Sequence, residues 1–240
     1  MRAVSLLVGG LLCASLCARA TAHVETIHLV PFTHLDIGFT DTPEAVAQRC
    51  KENIDEAIAL CEEFPEFRWT IETAWQLEQW LLRTEEPAPR QTLARLVREG
   101  RMEVGGAYAT MHSGVLSAEG VCRLFLPALR LCRELQVPPP RAALQNDVPG
   151  YTWAYPQALA ASGIRYFATG INRFVGGGAD LPAHANPFWW EGPDGSRVLT
   201  WISRESYVEA NKWGLGNWSP PAQQRADLTH RLADLEATGY

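Results

Sequence analysis

From Thr26 to the end of the chain, short apolar runs alternate with amphipathic stretches, and each run closes on glycine or a polar residue. The runs are Ile27–Phe32, Phe67–Ile71, Arg101–Gly106, Arg141–Asp147 and Ile164–Thr169. Such runs are too short for ordinary helices and read as buried strands. Thr42-Pro43-Glu44 is a helix start, with a cap residue, a proline and an acid in the first turn. Val46, Cys50, Ile54, Ala57 and Cys61 then recur every three or four residues, which predicts an amphipathic helix of about five turns. Further helices are predicted over Thr73–Arg83, Gln91–Glu99, Ser117–Leu135, Tyr155–Ser162 and Pro221–Ala237, and Pro127 should kink or break the one that contains it. Phe188–Glu191 and Arg197–Trp201 flank Gly192-Pro193-Asp194-Gly195 and predict a hairpin. This order of elements implies an α/β fold with a parallel sheet.

In parallel α/β folds the chemistry lies beyond the carboxyl ends of the strands. The polar candidates follow that rule. His34 and Asp36 come after the first run, Glu72 after the second, Asp147 after the fourth, and Asn172 and Arg173 after the fifth. His34 and Asp36 are two apart, so an extended backbone points both side chains the same way. Imidazole and carboxylate are both zinc ligands, and a catalytic zinc keeps one position open. The plain alternative is a capped loop, with Asp36 or Asp41 on the helix start and His34 merely polar. Polar residues after several successive strands point instead to a metal-assisted or carboxylate-based enzyme. Glu72 reads as a structural partner at the base of that site, and His112 and His184 as solvated loop residues.

The chain has 240 residues, a net charge of −6 and a pI near 5.5. An acidic surface argues against nucleic acid as a partner. Gly176-Gly177-Gly178 is not followed by the Lys-Ser or Lys-Thr of a phosphate loop, which argues against nucleotide binding. Arg2, the apolar stretch Val4–Cys17 and Ala20-Thr21-Ala22 read as an export signal cleaved after Ala22. The apolar stretch is too short for a stable membrane span. Residues 1–22 are thus expected to be a leader, and residues 23–240 to function in a secreted or periplasmic space. Cys50 and Cys61 lie on one predicted helix, roughly 16 Å apart at the helical rise, too far for a disulfide. Cys122 and Cys132 are similarly placed, and buried free thiols are the expected state.

The order His34-x-Asp36, Glu103-Val104-Gly105-Gly106, Gln145-Asn146-Asp147-x-Pro149-Gly150-Tyr151, then Gly163-Ile164-Arg165-Tyr166-Phe167 with Asn172-Arg173, resembles the N-terminal catalytic domain of glycoside hydrolase family 38, the retaining α-mannosidases. The resemblance covers roughly His28 to Trp201. It implies a seven-stranded β/α barrel holding one Zn2+, with His34, Asp36 and Asp147 as metal ligands. Asp147 would also be the nucleophile, and Arg173 would support nucleophile and substrate. Phe39, Tyr151 and Trp153 are the candidate sugar-binding residues, and the partner would be a mannose-containing glycan.

The chain also departs from the family pattern. Phe39 stands where the family has Trp, Tyr151 where it has His after the nucleophile, and Met111-His112-Ser113-Gly114 where it has an acidic residue after the paired glycines. No carboxylate can be assigned as the general acid, since Glu191, Glu205 and Glu209 read as hairpin and surface residues. The general acid and last zinc ligand of the family are expected on later strands, and the chain is expected to be part of a longer product. Two other readings stay open: a zinc-dependent carbohydrate deacetylase, which would lack the expected His-x-x-x-His pair, and a non-catalytic sugar-binding remnant.

Overall fold

A computed structural model describes residues 24, 26–170, 186–203, 207–212, 215 and 220–237. The leader-like residues 1–22, and Asn172, Arg173 and His184, lie outside them.

Helix α1 spans Pro43–Glu63. The Thr42 side chain accepts from the Ala45 amide, and Val46, Cys50, Ile54, Ala57 and Cys61 lie on the buried face. Strand β1 (Trp69–Ile71), α2 (Ala74–Leu82), α3 (Pro87–Arg98) and β2 (Met102–Val104) follow. The predicted helix over Ser117–Leu135 is two helices, α4 (Ala118–Arg123) and α5 (Leu126–Glu134). Pro127 has no amide hydrogen and its ring would strike the carbonyl of Arg123, so one continuous helix is excluded. Beyond lie β3 (Ala142–Leu144), α6 (Tyr155–Ala161), β4 (Tyr166–Gly170), β5 (Phe188–Glu191), β6 (Arg197–Ser203), α7 (Glu209–Lys212) and α8 (Pro221–Ala237).

The α/β class is as expected, but the seven-stranded barrel is not what the described residues form. They contain six strands in two open sheets, β1-β2 and β3-β4-β6-β5. All pairings are parallel except the β5–β6 hairpin, which turns through Gly195 at φ +80°. One backbone bond links the sheets, from the Gly106 amide to the Ala142 carbonyl at 2.9 Å. The expected first strand, Ile27–Phe32, is irregular. Its recorded tie to the sheet is the Thr70 amide bonding the Pro31 carbonyl at 2.9 Å. Proline lacks the donor that would extend a ladder, and Leu29 and Val30 are exposed.

Alternate strand residues face the helices. Ile71, Met102 and Val104 pack with Leu77, Trp80, Leu93, Leu96 and Leu131 from α2, α3 and α5. Ala143, Phe167 and Val198 pack with Tyr155 and Leu159 of α6. Fully burying one large apolar side chain stabilises by about 1.5–3 kcal/mol, so this helix-side layer holds the strand ends that carry the polar residues. Cys50, Cys61 and Cys132 are buried free thiols, as expected, whereas Cys122 is free but exposed. No helix is long and apolar enough to cross a membrane among the described residues.

Candidate active site

Among the described residues, His34, Asp36, Glu72 and Asp147 meet beyond the carboxyl ends of β1 and β3. Glu72, one residue past β1, is 1% exposed. Its two carboxylate oxygens lie 2.9 and 3.0 Å from His34 Nδ1. Asn146, two residues past β3, donates from Nδ2 to Glu72 Oε1 at 2.8 Å and accepts from the Gly170 amide at 2.9 Å. Asp147 adopts a left-handed backbone, φ +61°, and its amide bonds the Gly170 carbonyl at 2.9 Å. That conformation costs a non-glycine residue about 1–2 kcal/mol, and strain of this kind gathers where function over-determines the backbone.

His34 Nε2 points away from Glu72, toward two more carboxylates. It lies 3.7 Å from Asp36 Oδ1 and 3.8 Å from Asp147 Oδ2. Those separations are too long for hydrogen bonds. They are near the roughly 3.4 Å expected between ligand atoms placed tetrahedrally around one zinc. One ligand atom from each of His34, Asp36 and Asp147 lies within 4.8 Å of the other two. His34 Nε2 and Asp147 Oδ1 are buried without a hydrogen-bond partner, and such an orphaned group costs about 1–3 kcal/mol. A nitrogen and two carboxylates clustered within 4.8 Å, with His34 Nε2 and Asp147 Oδ1 unpaired, form a donor set that fits zinc. Burial by itself lowers the proton affinity of His34, but the Glu72 hydrogen bond and the charges of Glu72, Asp36 and Asp147 outweigh it, and its pKa is raised.

Tyr207 is a site residue that the sequence did not disclose. Its ring lies 5.3 Å from the His34 ring. Burial, then the charges of Asp147 and Asp36, hold its pKa above the ordinary value. Gly170 makes room for it, since a Cβ there would run into the Tyr207 backbone. The long spacing and the absence of a local motif around Tyr207 left no signal to read. Gln76 and Gln145 were also missed. Gln76 donates to the Thr33 carbonyl at 2.9 Å, and Gln145 donates to the Ala109 carbonyl at 2.7 Å.

The three candidate sugar-binding residues are placed differently. Phe39 and Trp153 are exposed, at 90% and 69%, and free to meet a ligand. Tyr151 instead is half-buried and packed against the core. Its hydroxyl is engaged by the Gln145 carbonyl and Thr169 Oγ1, both at 2.6 Å. Its ring packs against Tyr155, Phe167 and Trp190. These contacts hold the ring in place, so it is less free than Phe39 or Trp153. Glu191 pairs with Arg197 across the hairpin, and His112 is exposed, both as expected.

Residues 25–237 match the model of the glycosyl hydrolases family 38 N-terminal domain. The chain belongs to glycosyl hydrolase family 38. Within this family it is similar to human alpha-mannosidase 2C1, at 29% identity over 190 residues, covering 73% of this chain and 16% of that protein. Alpha-mannosidase G of Dictyostelium discoideum is 26% identical over 181 residues, 70% of this chain and 15% of that protein. This family 38 chain therefore spans about a sixth of the length of these relatives. Its fold is like that of an alpha-mannosidase from Enterococcus faecalis V583, with TM-score 0.68, 22% identity, and 86% of this chain and 23% of that chain covered. A putative polysaccharide deacetylase from Mycobacterium smegmatis has TM-score 0.51 at 14% identity, covering 82% of this chain and 64% of that one, a likeness of fold alone.

Proposed function

We propose that this chain carries the metal-binding and nucleophile-bearing part of a retaining α-mannosidase site. The observation that supports the reading most is the clustering of His34, Asp36 and Asp147 within 4.8 Å, with His34 Nε2 and Asp147 Oδ1 unpaired. In this reading His34, Asp36 and Asp147 hold Zn2+. When bound, the ion would grip vicinal sugar hydroxyls and favour a distorted ring. Asp147 attacks the anomeric carbon and displaces the aglycone oxygen, which takes a proton from a second carboxyl group; water, deprotonated by that same group, then hydrolyses the glycosyl ester. The left-handed backbone at Asp147 fixes the direction in which its carboxylate leaves the strand end. Arg173, which lies outside the described residues, would support the nucleophile. Phe39 and Trp153 would offer aromatic faces to the sugar. Export through residues 1–22 is part of the same proposal, and places the glycan substrate outside the cytoplasm.

The test has two arms. The purified chain should contain about one zinc, and Asp36→Ala should lose it. Aryl α-mannoside hydrolysis by the full protein should vanish in Asp147→Asn, with trapping of a glycosyl ester on Asp147 by a slow-reacting fluorinated mannoside. A folded chain with no metal, or full turnover by Asp147→Asn, overturns the reading.

A further inference from the structure

Glu72 is a charged group with almost no access to water, and it belongs to neither the metal ligands nor the nucleophile. Burying a carboxylate is costly unless several partners compensate it. Its recorded partners among the described residues are His34 Nδ1, met by both oxygens, and Asn146 Nδ2. A carboxylate can only accept, so Nδ1 must bear a proton toward it. In a neutral imidazole this leaves the Nε2 lone pair free, facing Asp36 and Asp147.

We infer that Glu72 is the positioning residue of the site: it selects the His34 tautomer whose Nε2 is a metal donor and, through Asn146, fixes the β1, β3 and β4 ends relative to one another. The inference rests on the metal reading above and deepens it. Three observations support it independently of the ion. The His34 segment makes no ladder, so side-chain bonds must orient the imidazole. Asn146 has both ends of its amide engaged, one on Glu72 and one on the Gly170 amide, which leaves it a single orientation. Asp147 follows Asn146 directly and bonds the same residue, Gly170, through its backbone. One carboxylate thus sets the donor atom of His34 and, two bonds away, the strand end that presents Asp147. His34 cannot shift without breaking its contact to Glu72, and Asp147 cannot shift without breaking its backbone bond to Gly170, the residue whose amide Asn146 also holds.

The experiment compares the wild-type chain with Glu72→Gln. The amide nitrogen of glutamine can donate to Nδ1, which reverses the demand on the ring. Long-range proton–nitrogen spectra of the metal-free chain, at alkaline pH where the imidazole is neutral, should show His34 protonated at Nδ1. In Glu72→Gln the Nε2-protonated form should appear. Zinc affinity, measured by competition with a chromogenic chelator, should fall roughly 10–100-fold in the folded variant. Thermal melting should confirm that the variant is folded. A wild-type His34 protonated at Nε2 overturns the inference, as does a folded Glu72→Gln chain that binds zinc within about twofold of wild type. If the wild-type chain takes up no zinc, the metal reading fails, and the tautomer still decides the role of Glu72. The wild-type spectrum needs no variant, so a Glu72→Gln chain that misfolds leaves the inference decided by that spectrum.

Discussion

The two halves of the site are supported in unlike ways. Asp147 is held by backbone. Its amide is bonded to Gly170, it follows buried Asn146 and precedes Val148, which is 2% exposed, and it sits at the end of a paired strand. His34 and Asp36 lie on a segment without ladder pairing, held by Thr70 to Pro31, Gln76 to Thr33 and Glu72 to His34. Asp36 is more open than Asp147, with side-chain exposures of 37% and 19%. The nucleophile candidate is thus strained and fixed, while the first two metal-ligand candidates depend on side-chain anchors. A site of this construction separates two demands. On the proposed reading, the reacting carboxylate needs a set direction, and the metal ligands need only converge.

Substitution at each half should expose that division. The largest effect is expected from Asp147→Gly. Glycine takes a left-handed backbone freely, so the variant should keep or gain about 1 kcal/mol of stability in urea unfolding. Zinc affinity should nevertheless fall at least roughly 100-fold, beyond the loss for an outer-sphere partner. A variant that loses stability and metal together would show that the backbone there is not strained. Gln76→Ala is expected to cost about 1–2 kcal/mol, since it leaves the Thr33 carbonyl unpaired. Hydrogen exchange should quicken over residues 32–36 and stay unchanged over residues 143–147. Equal quickening at both places would mean that the halves share one support.

The smallest effect concerns the helix layer beneath both halves. Burial pushes the Cys50 and Cys132 thiols up to about 11. A thiol raised in the folded state keeps its proton there while the unfolded chain loses it near the ordinary value of 9.0. Its contribution to stability is therefore complete below pH 9.0, and it is lost as pH rises through about 11. At mildly alkaline pH, alkylation of the native chain should reach exposed Cys122 and spare Cys50 and Cys132. Early labelling of either in Asp147→Gly or Gln76→Ala would show that the damage had spread into the layer.

What the sequence disclosed follows from how local each signal is. The start of α1 was legible because Thr42, Pro43 and Glu44 act within one turn. The β5–β6 hairpin was legible for the same reason. Pro127 announced a break, although not that Leu124 and Phe125 would form it. The run Ile27–Phe32 misled because apolar content marks a strand candidate without saying whether a neighbour offers a ladder. The spacing of His34 and Asp36 and the position of Asp147 after a strand made the cluster foreseeable as candidates. Of the residues that hold it, Glu72 was legible as a structural partner, but Gln76 and Asn146 were not. Gln76 reaches Thr33 across 43 positions, and Asn146 reaches Glu72 across 74. The partners of Tyr151 were hidden because its hydroxyl and ring look the same in sequence whether they meet a sugar or a core.

Gly105 has a significance that its own position hides. In β2's extension the Glu72 carbonyl oxygen occupies the place a Cβ on Gly105 would take, and the Gly105 amide bonds the Ile71 carbonyl at 2.8 Å. A side chain at Gly105 would push on the main chain of Glu72 itself. On the proposed metal reading, a change of this glycine to alanine would therefore present as a defect in metal retention, mapped to a strand that contributes no candidate ligand. A screen that scored only the candidate ligands and their immediate neighbours in sequence would class it as silent.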